Sequence, residues 1–230
     1  LADQSRRTRT VRKARHDEQM LVIGLGRFGG RLGMELMELG HEVLGVDADP
    51  AVVDRFVNRL TKVVVADTTR LEVLEQLGAR DFNHVVVGIG DVEASILTVA
   101  ELAALDVRDV WAKAVTTEHK RILEKVGATH VVLPEHEMGR RIAHQVTGKI
   151  MDYIELDAGF ALVEARVPPE VVGRTLQEAQ IRARWDVTVV CMKPEGGAFT
   201  YATPDSVLSA GSIVLVAGDT DKVEAFAELT

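Results

Sequence analysis

Along the chain, short apolar runs alternate with longer stretches whose apolar residues recur every three or four positions. Leu21-Val22-Ile23 is the first run, and it leads into Gly24-Leu25-Gly26-Arg27-Phe28-Gly29. A helical pattern follows (Leu32, Leu36, Leu39) and stops at Gly40. The second run, Glu42 to Val46, ends at Asp47, and Asp49-Pro50 then reads as an N-cap followed by proline at the first helical position. Lys62–Ala66, His84–Gly88, Val110–Lys113 and His130–Leu133 bring the strands to six. Helical segments at Leu71–Leu77, Ala94–Leu105 and Glu118–Val126 separate the later ones. Strand and helix in alternation predict an α/β fold over residues 20–135, with parallel strands buried on both faces. Right-handed crossovers make it a doubly wound, Rossmann-like sheet.

Beyond this point the rhythm changes. A helix from about Glu137 to Ile150 reads as a connector over residues 136–151. From residue 152 to 230, strands come without long helices between them: Tyr153–Leu156, Ala161–Val167, Val187–Met192, Thr200–Ala202 and Ile213–Ala217. Glu195-Gly196-Gly197 and Ala210-Gly211 supply turns, and two helices fit, Leu176–Arg184 and Lys222–Leu229. The expectation is a small α+β lobe, mostly antiparallel, with helix over one face.

Composition narrows the class. Apolar residues are 47% of the 230 and charged residues 27%, as in ordinary globular proteins. Cys191 is the one cysteine, so no intrachain disulfide forms, which suits a reducing cytoplasm. No run of about 18 apolar residues occurs, and the start is polar and basic, so neither a membrane span nor a signal peptide is expected. The net charge of −8 speaks against nucleic acid as a main partner. Residues 1–19 depart from that balance: Arg6, Arg7, Arg9, Arg12, Lys13 and Arg15 fall within ten residues free of acids. This basic arm reads either as a contact for an acidic partner or membrane surface, or as an ordinary solvated terminus.

Gly24-x-Gly26-x-x-Gly29 lies between a strand and a helix, and Asp47 ends the next strand, which together read as a dinucleotide-type phosphate loop. Gly24 permits the tight turn, Gly26 lets backbone approach a pyrophosphate, and Gly29 lets helix and strand pack closely. The helix N-terminus then offers free N–H groups to phosphate. Leu25, Arg27 and Phe28 complete the loop, with Arg27 as a cation beside a polyphosphate. Asp47, with Ala48 next to it, meets the ribose hydroxyls. Ligands in such sheets lie beyond the carboxyl ends of strands, which adds Asp67 and Thr68 toward the adenine, Ile89 and Gly90 toward base or ribose, Lys113, and Glu135. Lys113 in an apolar strand calls for a partner, either a phosphate or Glu135.

Recognisable reaction chemistry is missing from the sequence. All seven histidines lie at or before His144, scattered over loops and strand starts, and the second lobe offers no acid–base pair. Cys-x-x-Cys, His-Glu-x-x-His and Gly-x-Ser-x-Gly are absent. A nucleotide site without reactive groups points to a ligand-reading switch, not an enzyme.

The stretches Val22–Gly30 and Gly40–Asp47, together with Leu123-Glu124-Lys125-Val126-Gly127-Ala128 and Pro134-Glu135-His136-Glu137-Met138-Gly139, resemble the RCK-domain regulatory subunits of Ktr/Trk potassium-uptake systems. The similarity covers about residues 20 to 230, and a single RCK unit matches the Ktr type. The resemblance implies a Rossmann-type N-lobe that binds ATP or ADP, with NAD(H) a ligand of some relatives. It implies homodimers assembled into an octameric ring on a membrane potassium channel, at the inner face of the cell membrane, with ATP and ADP favouring different ring shapes. By carry-over Gly24, Gly26, Arg27 and Gly29 match the phosphate loop, Asp47 the ribose acid, and Glu135 a glutamate that helps hold Mg2+ or Ca2+ beside the phosphates. Many relatives also bind cyclic di-AMP in the C-lobe, for which Gln180–Arg184 offers only a loose match. Two alternatives stay open: an NAD-dependent oxidoreductase or epimerase, and a cyclic di-AMP-sensing domain serving another transporter.

Overall fold

Met20 and Val22 pack into one apolar cluster while Leu21 and Ile23 pack into another, so the first strand is buried on both faces. The computed structural model, which describes residues 18–146 and 150–230, explains in this way why the strand reads as an unbroken apolar run. The chain divides into two units after Glu135.

In the first unit, strands β1 (Gln19–Ile23), β2 (Glu42–Asp47), β3 (Lys62–Val65), β4 (His84–Val87), β5 (Val110–Lys113) and β6 (His130–Val132) form one sheet in the order β3-β2-β1-β4-β5-β6. Every pairing is parallel. Helices α1 (Arg27–Glu38), α2 (Pro50–Asp54), α3 (Leu71–Gln76), α4 (Val92–Ala104) and α5 (Thr117–Val126) connect the strands. Leu25, Val43, Phe56 and Leu60 fill one side of the sheet; Leu74, Val99, Leu102 and Leu123 fill the other. Each fully buried side chain of this size contributes about 1.5–3 kcal/mol. The strand order reverses between β1 and β4, which opens a crevice at the carboxyl edge between them. The doubly wound α/β expectation holds.

Helix α6 (Pro134–Val146) follows β6 directly. In the second unit, β7 (Ile150–Asp157), β8 (Phe160–Arg166), β9 (Thr188–Lys193), β10 (Thr200–Tyr201) and β11 (Ile213–Asp219) make an antiparallel sheet in the order β10-β9-β11-β8-β7. Ala161, Val163 and Ala165 of β8 alternate inward with Val214 and Val216 of β11. Helix α9 (Thr220–Ala227) contributes Val223 and Phe226 to that core, and the Trp185 ring meets Phe226 edge-on at 5.6 Å.

Three expectations need correction. The helix predicted to reach Ile150 ends by Val146 among the described residues, and Ile150 starts β7, buried in the second core. Gln19, assigned to the arm, belongs to β1; residues 1–17, the bulk of the basic arm, lie outside the described residues. The helix predicted over Leu176–Arg184 is two short ones, α7 (Leu176–Ala179) and α8 (Ile181–Trp185). Gln180 divides them at φ +48°, a left-handed conformation that cannot propagate a helix.

Candidate functional site at the first helix N-terminus

Each glycine of the loop between β1 and α1 has its own physical reason. Gly24 turns the chain at φ +85°, and a Cβ there would lie 2.8 Å from the Ile89 backbone nitrogen. Its N–H donates to the Val46 carbonyl at 2.7 Å, and the Gly88 N–H donates to Ile23 at 2.7 Å, tying the loop to β2 and β4. A Cβ on Gly29 would sit 2.0 Å from the Gly24 carbonyl oxygen, so only glycine lets α1 approach this closely. Gly26 differs from both. Its φ is −63°, open to any residue, and a Cβ there would meet no atom of the described residues within 4 Å. Nothing in the packing of the described residues requires glycine at that position, and among them open space lies in front of it.

Gly26 is also the N-cap of α1, and it supplies no capping side chain. The first intrahelical bond is Gly30 N–H to the Gly26 carbonyl at 2.9 Å, which leaves the amides of the first turn without partners inside the helix. The first turn carries no acidic residue to offset the positive end of the helix dipole. The result is a helix start whose free amides and dipole suit an anion, with space before it among the described residues.

Asp47 stands at the end of β2. Its Oδ2 accepts the Leu25 N–H at 2.7 Å and its Oδ1 accepts the Asp49 N–H at 2.9 Å. An ionised carboxylate has about four lone-pair sites, so two remain for hydroxyl donors. Leu25 enters the site through its backbone only, since its side chain is buried in the core. Ala48 is exposed beside Asp47.

At the end of β3, Asp67 is exposed and accepts the Thr69 hydroxyl at 2.7 Å and the Thr69 N–H at 3.1 Å. These bonds from Thr69 hold its carboxyl below the usual carboxylate range. Thr68 is buried, with its hydroxyl 3.1 Å from that of Thr98, so its side chain is committed to α4. Ile89 is half-buried, and Gly90 has open space at its Cβ position. Asp91, at the end of the same loop, caps α4 by accepting the Ala94 N–H at 2.8 Å. Its signal was an acidic N-cap directly before an apolar helical pattern.

Lys113 ends β5, and its side chain is 12% exposed. Its ammonium donates to Glu135 Oε1 at 2.6 Å and lies 5.9 Å from the centre of the Phe28 ring, which belongs to the first turn of α1. Glu135, one of the two partners expected for Lys113, is in place. The hydrogen bond from Lys113 is the main reason that Glu135 titrates below the ordinary glutamate range, and the Arg27 charge adds to it. Among the described residues no group of three or more histidine, cysteine or acidic side chains is arranged to hold a metal ion. Strand register places all these positions at the carboxyl edge, with Ile23 opposite both Val46 and Val87, and Ala112 opposite both Val87 and Val131.

The TrkA-N domain family matches residues 20–134, half of the chain, and the TrkA-C domain family matches residues 162–230. The chain belongs to the TrkA-N/TrkA-C family. It is 36% identical to Ktr system potassium uptake protein C of Bacillus subtilis over 91% of this chain and 96% of that protein. Ktr system potassium uptake protein A of the same organism is 32% identical over the same shares. The fold resembles the GsuK RCK domain with a TM-score of 0.64 and 20% identity, covering 93% of this chain. This chain spans about half the length of that GsuK chain, 47%. Likeness of fold extends to a GsuK channel bound to NAD (TM-score 0.51, 21% identity, 94% of this chain and 39% of that one). It extends also to GsuK bound to ADP (TM-score 0.53, 18% identity, 58% of this chain and 35% of that one). The relatives are potassium uptake proteins, and the reading of the site as one without catalysis stands. The oxidoreductase alternative falls away. Among the described residues no helix is long and apolar enough to cross a membrane.

Proposed function

We propose that this TrkA-N/TrkA-C protein is a nucleotide-controlled regulatory subunit of a potassium-uptake system, working at the cytoplasmic face of a membrane transporter. The observation that carries the reading is Gly26: neither backbone conformation nor packing demands glycine, yet the open space before it faces an uncapped helix start. A diphosphate or triphosphate group fills such a space and takes the free amides. Asp47 keeps two acceptor sites for ribose hydroxyls, and Ile89 with Gly90 and Ala48 border the nucleoside, with Asp67 toward the adenine edge. Arg27 and Lys113 supply positive charge for the phosphate tail, and Glu135 carries a Mg2+ or Ca2+ ion bridged to it. That GsuK is described with ADP and with NAD supports an adenine nucleotide as the ligand class.

Switching requires that ATP and ADP prefer different arrangements of neighbouring copies; equal preference shifts nothing. Homodimers gathered into an octameric ring on the channel subunit provide such arrangements. The test combines calorimetric titration with mass under native conditions. The expected outcome is binding of ATP and ADP at one site per chain, a mass near eight subunits, and a ring whose size or flux-activating effect differs between the two nucleotides. Equal responses to ATP and ADP remove the switch, and binding of NADH alone reassigns the ligand.

A second ligand is supported by the second unit. Gln180, Ile181, Arg182, Thr188, Ala202 and Thr203 border a groove of about 600 Å³. Its proposed occupant, shared across a dimer interface as in the relatives the sequence resembles, is a cyclic dinucleotide such as cyclic di-AMP, and retention of radiolabelled cyclic di-AMP by the wild-type chain but not by Arg182→Ala checks it.

A further inference from the structure

Three positive features converge at the start of α1: the helix N-terminus, Arg27 and Lys113. Glu135 is the carboxylate that answers them, bonded to Lys113 at 2.6 Å and close enough to Arg27 to feel its charge. We infer that Glu135 is a built-in competitor of the nucleotide's phosphates, and that Lys113 exchanges the Glu135 carboxylate for a phosphate oxygen when the nucleotide binds. The inference rests on the nucleotide reading above and gives it a residue-level control.

The geometry supports an exchange in place of a permanent clamp. Lys113 is almost enclosed, and with its ammonium beside Phe28 it is held near the helix start with or without ligand. A largely enclosed ammonium needs an anion at all times, and Glu135 provides one in the empty site. Glu135 itself is 64% exposed and rides at the start of α6, where its carboxylate also accepts its own backbone N–H. Its negative charge is favoured by the positive end of α6 as well. When Lys113 turns to phosphate, Glu135 therefore keeps a partner and solvent, and its carboxylate becomes available to a divalent cation. The ammonium loses its partner only if the phosphate is there to replace it. Metal-free binding and metal-assisted binding thus make opposite demands on one carboxylate.

The test is titration of the full chain with ADP and ATP, first in EDTA and then with excess Mg2+, for wild type, Glu135→Gln, Lys113→Met and the double variant. In EDTA, Glu135→Gln is expected to bind roughly three- to tenfold tighter, in the range that a partly exposed ion pair controls. Lys113→Met binds more weakly, and in its background the gain from Glu135→Gln shrinks toward none, because the competitor then has little left to hold. Adding Mg2+ tightens wild type but not Glu135→Gln. Thermal melts of the four proteins establish that each is folded before titration. Weaker or unchanged binding by Glu135→Gln in EDTA, with wild type binding normally, overturns the exchange while leaving the nucleotide site intact. A folded wild type that binds no nucleotide overturns the nucleotide reading and the exchange with it.

Discussion

The Asp47 carboxylate holds the Leu25 amide at 2.7 Å, which makes the residue assigned to the ribose also the brace of the phosphate loop. Asp47→Ala therefore does two things at once. It leaves the part-buried Leu25 N–H without its acceptor, at about 1.5–3 kcal/mol for a bond to a charged group, and it removes the proposed ribose acceptor. The expected result is a lower urea midpoint together with loss of ATP and ADP binding. Asp47→Asn keeps an amide oxygen for the part-buried Leu25 N–H but turns its NH2 toward the exposed Asp49 N–H, so it should recover part of the stability while binding remains weak. Equal loss of stability in both variants would deny the brace.

Gly26 and Gly29 separate fold from ligand. A methyl at Gly29 would stand 2.0 Å from the Gly24 carbonyl oxygen, so Gly29→Ala is expected to destabilise by about 3 kcal/mol or more. A methyl at Gly26 meets no atom of the described residues, and at an N-cap the exchange of glycine for alanine costs about 1 kcal/mol or less. Yet the same methyl would intrude on phosphates in the proposed site, and Gly26→Ala is expected to weaken ADP roughly tenfold or more, about 1.4 kcal/mol. Melting curves and calorimetry read the two effects independently. Unaltered ADP affinity in Gly26→Ala would place the phosphates elsewhere.

The contrast between these glycines also tells what was legible in the sequence. Strand–helix alternation and the glycine spacing are local signals, and both follow from steric rules that hold wherever the motif occurs. The pairing of Thr68 with Thr98 joins residues thirty apart in the chain, and no local pattern announces it. The same is true of Asp109, which accepts from His84, Trp111 and Thr129 at the amino edge of the sheet. Asp47 was legible as an acid at a strand end, but its bond to Leu25 depends on how the loop folds back. The break at Gln180 escaped notice because apolar periodicity runs on through it, and a left-handed glutamine carries no compositional mark.

His119 predicts an acid-side loss of stability. It is buried on α5, its Nδ1 accepts the Val115 N–H at 3.3 Å, and its Nε2 has no hydrogen-bond partner among the described residues. Burial disfavours the imidazolium and pushes the pKa below its ordinary value of 6.5. The unfolded chain then takes up this proton first as pH falls. Stability from this residue is full above about pH 6.5 and declines from there down to the lowered folded pKa. His119→Gln, which retains an acceptor for Val115, should flatten the decline between about pH 6.5 and 5.5, above the range where carboxylates titrate. Chemical denaturation at a series of pH values checks it; parallel slopes for the two proteins would exclude His119 as the source.

Gln180 offers the converse case, a residue whose replacement should strengthen the protein. It holds φ +48° and ψ +39°, where the Cβ of any L-residue is crowded, at a cost of roughly 1–2 kcal/mol. The segment tolerates this because the capping box between Thr175 and Glu178 fixes α7 from its other end. Gln180→Gly removes the crowding but gives the unfolded chain more freedom, which returns about 0.4–1 kcal/mol. The net expectation is a gain of up to about 1 kcal/mol, seen as a higher denaturant midpoint at unchanged slope, while β-branched Gln180→Val loses stability. Because Gln180 also borders the groove of the second unit, the glycine variant isolates its side chain. A stabilised Gln180→Gly protein that no longer retains cyclic di-AMP would mean that the strained conformation is kept for the ligand; one that retains it fully would assign Gln180 to the chain path alone.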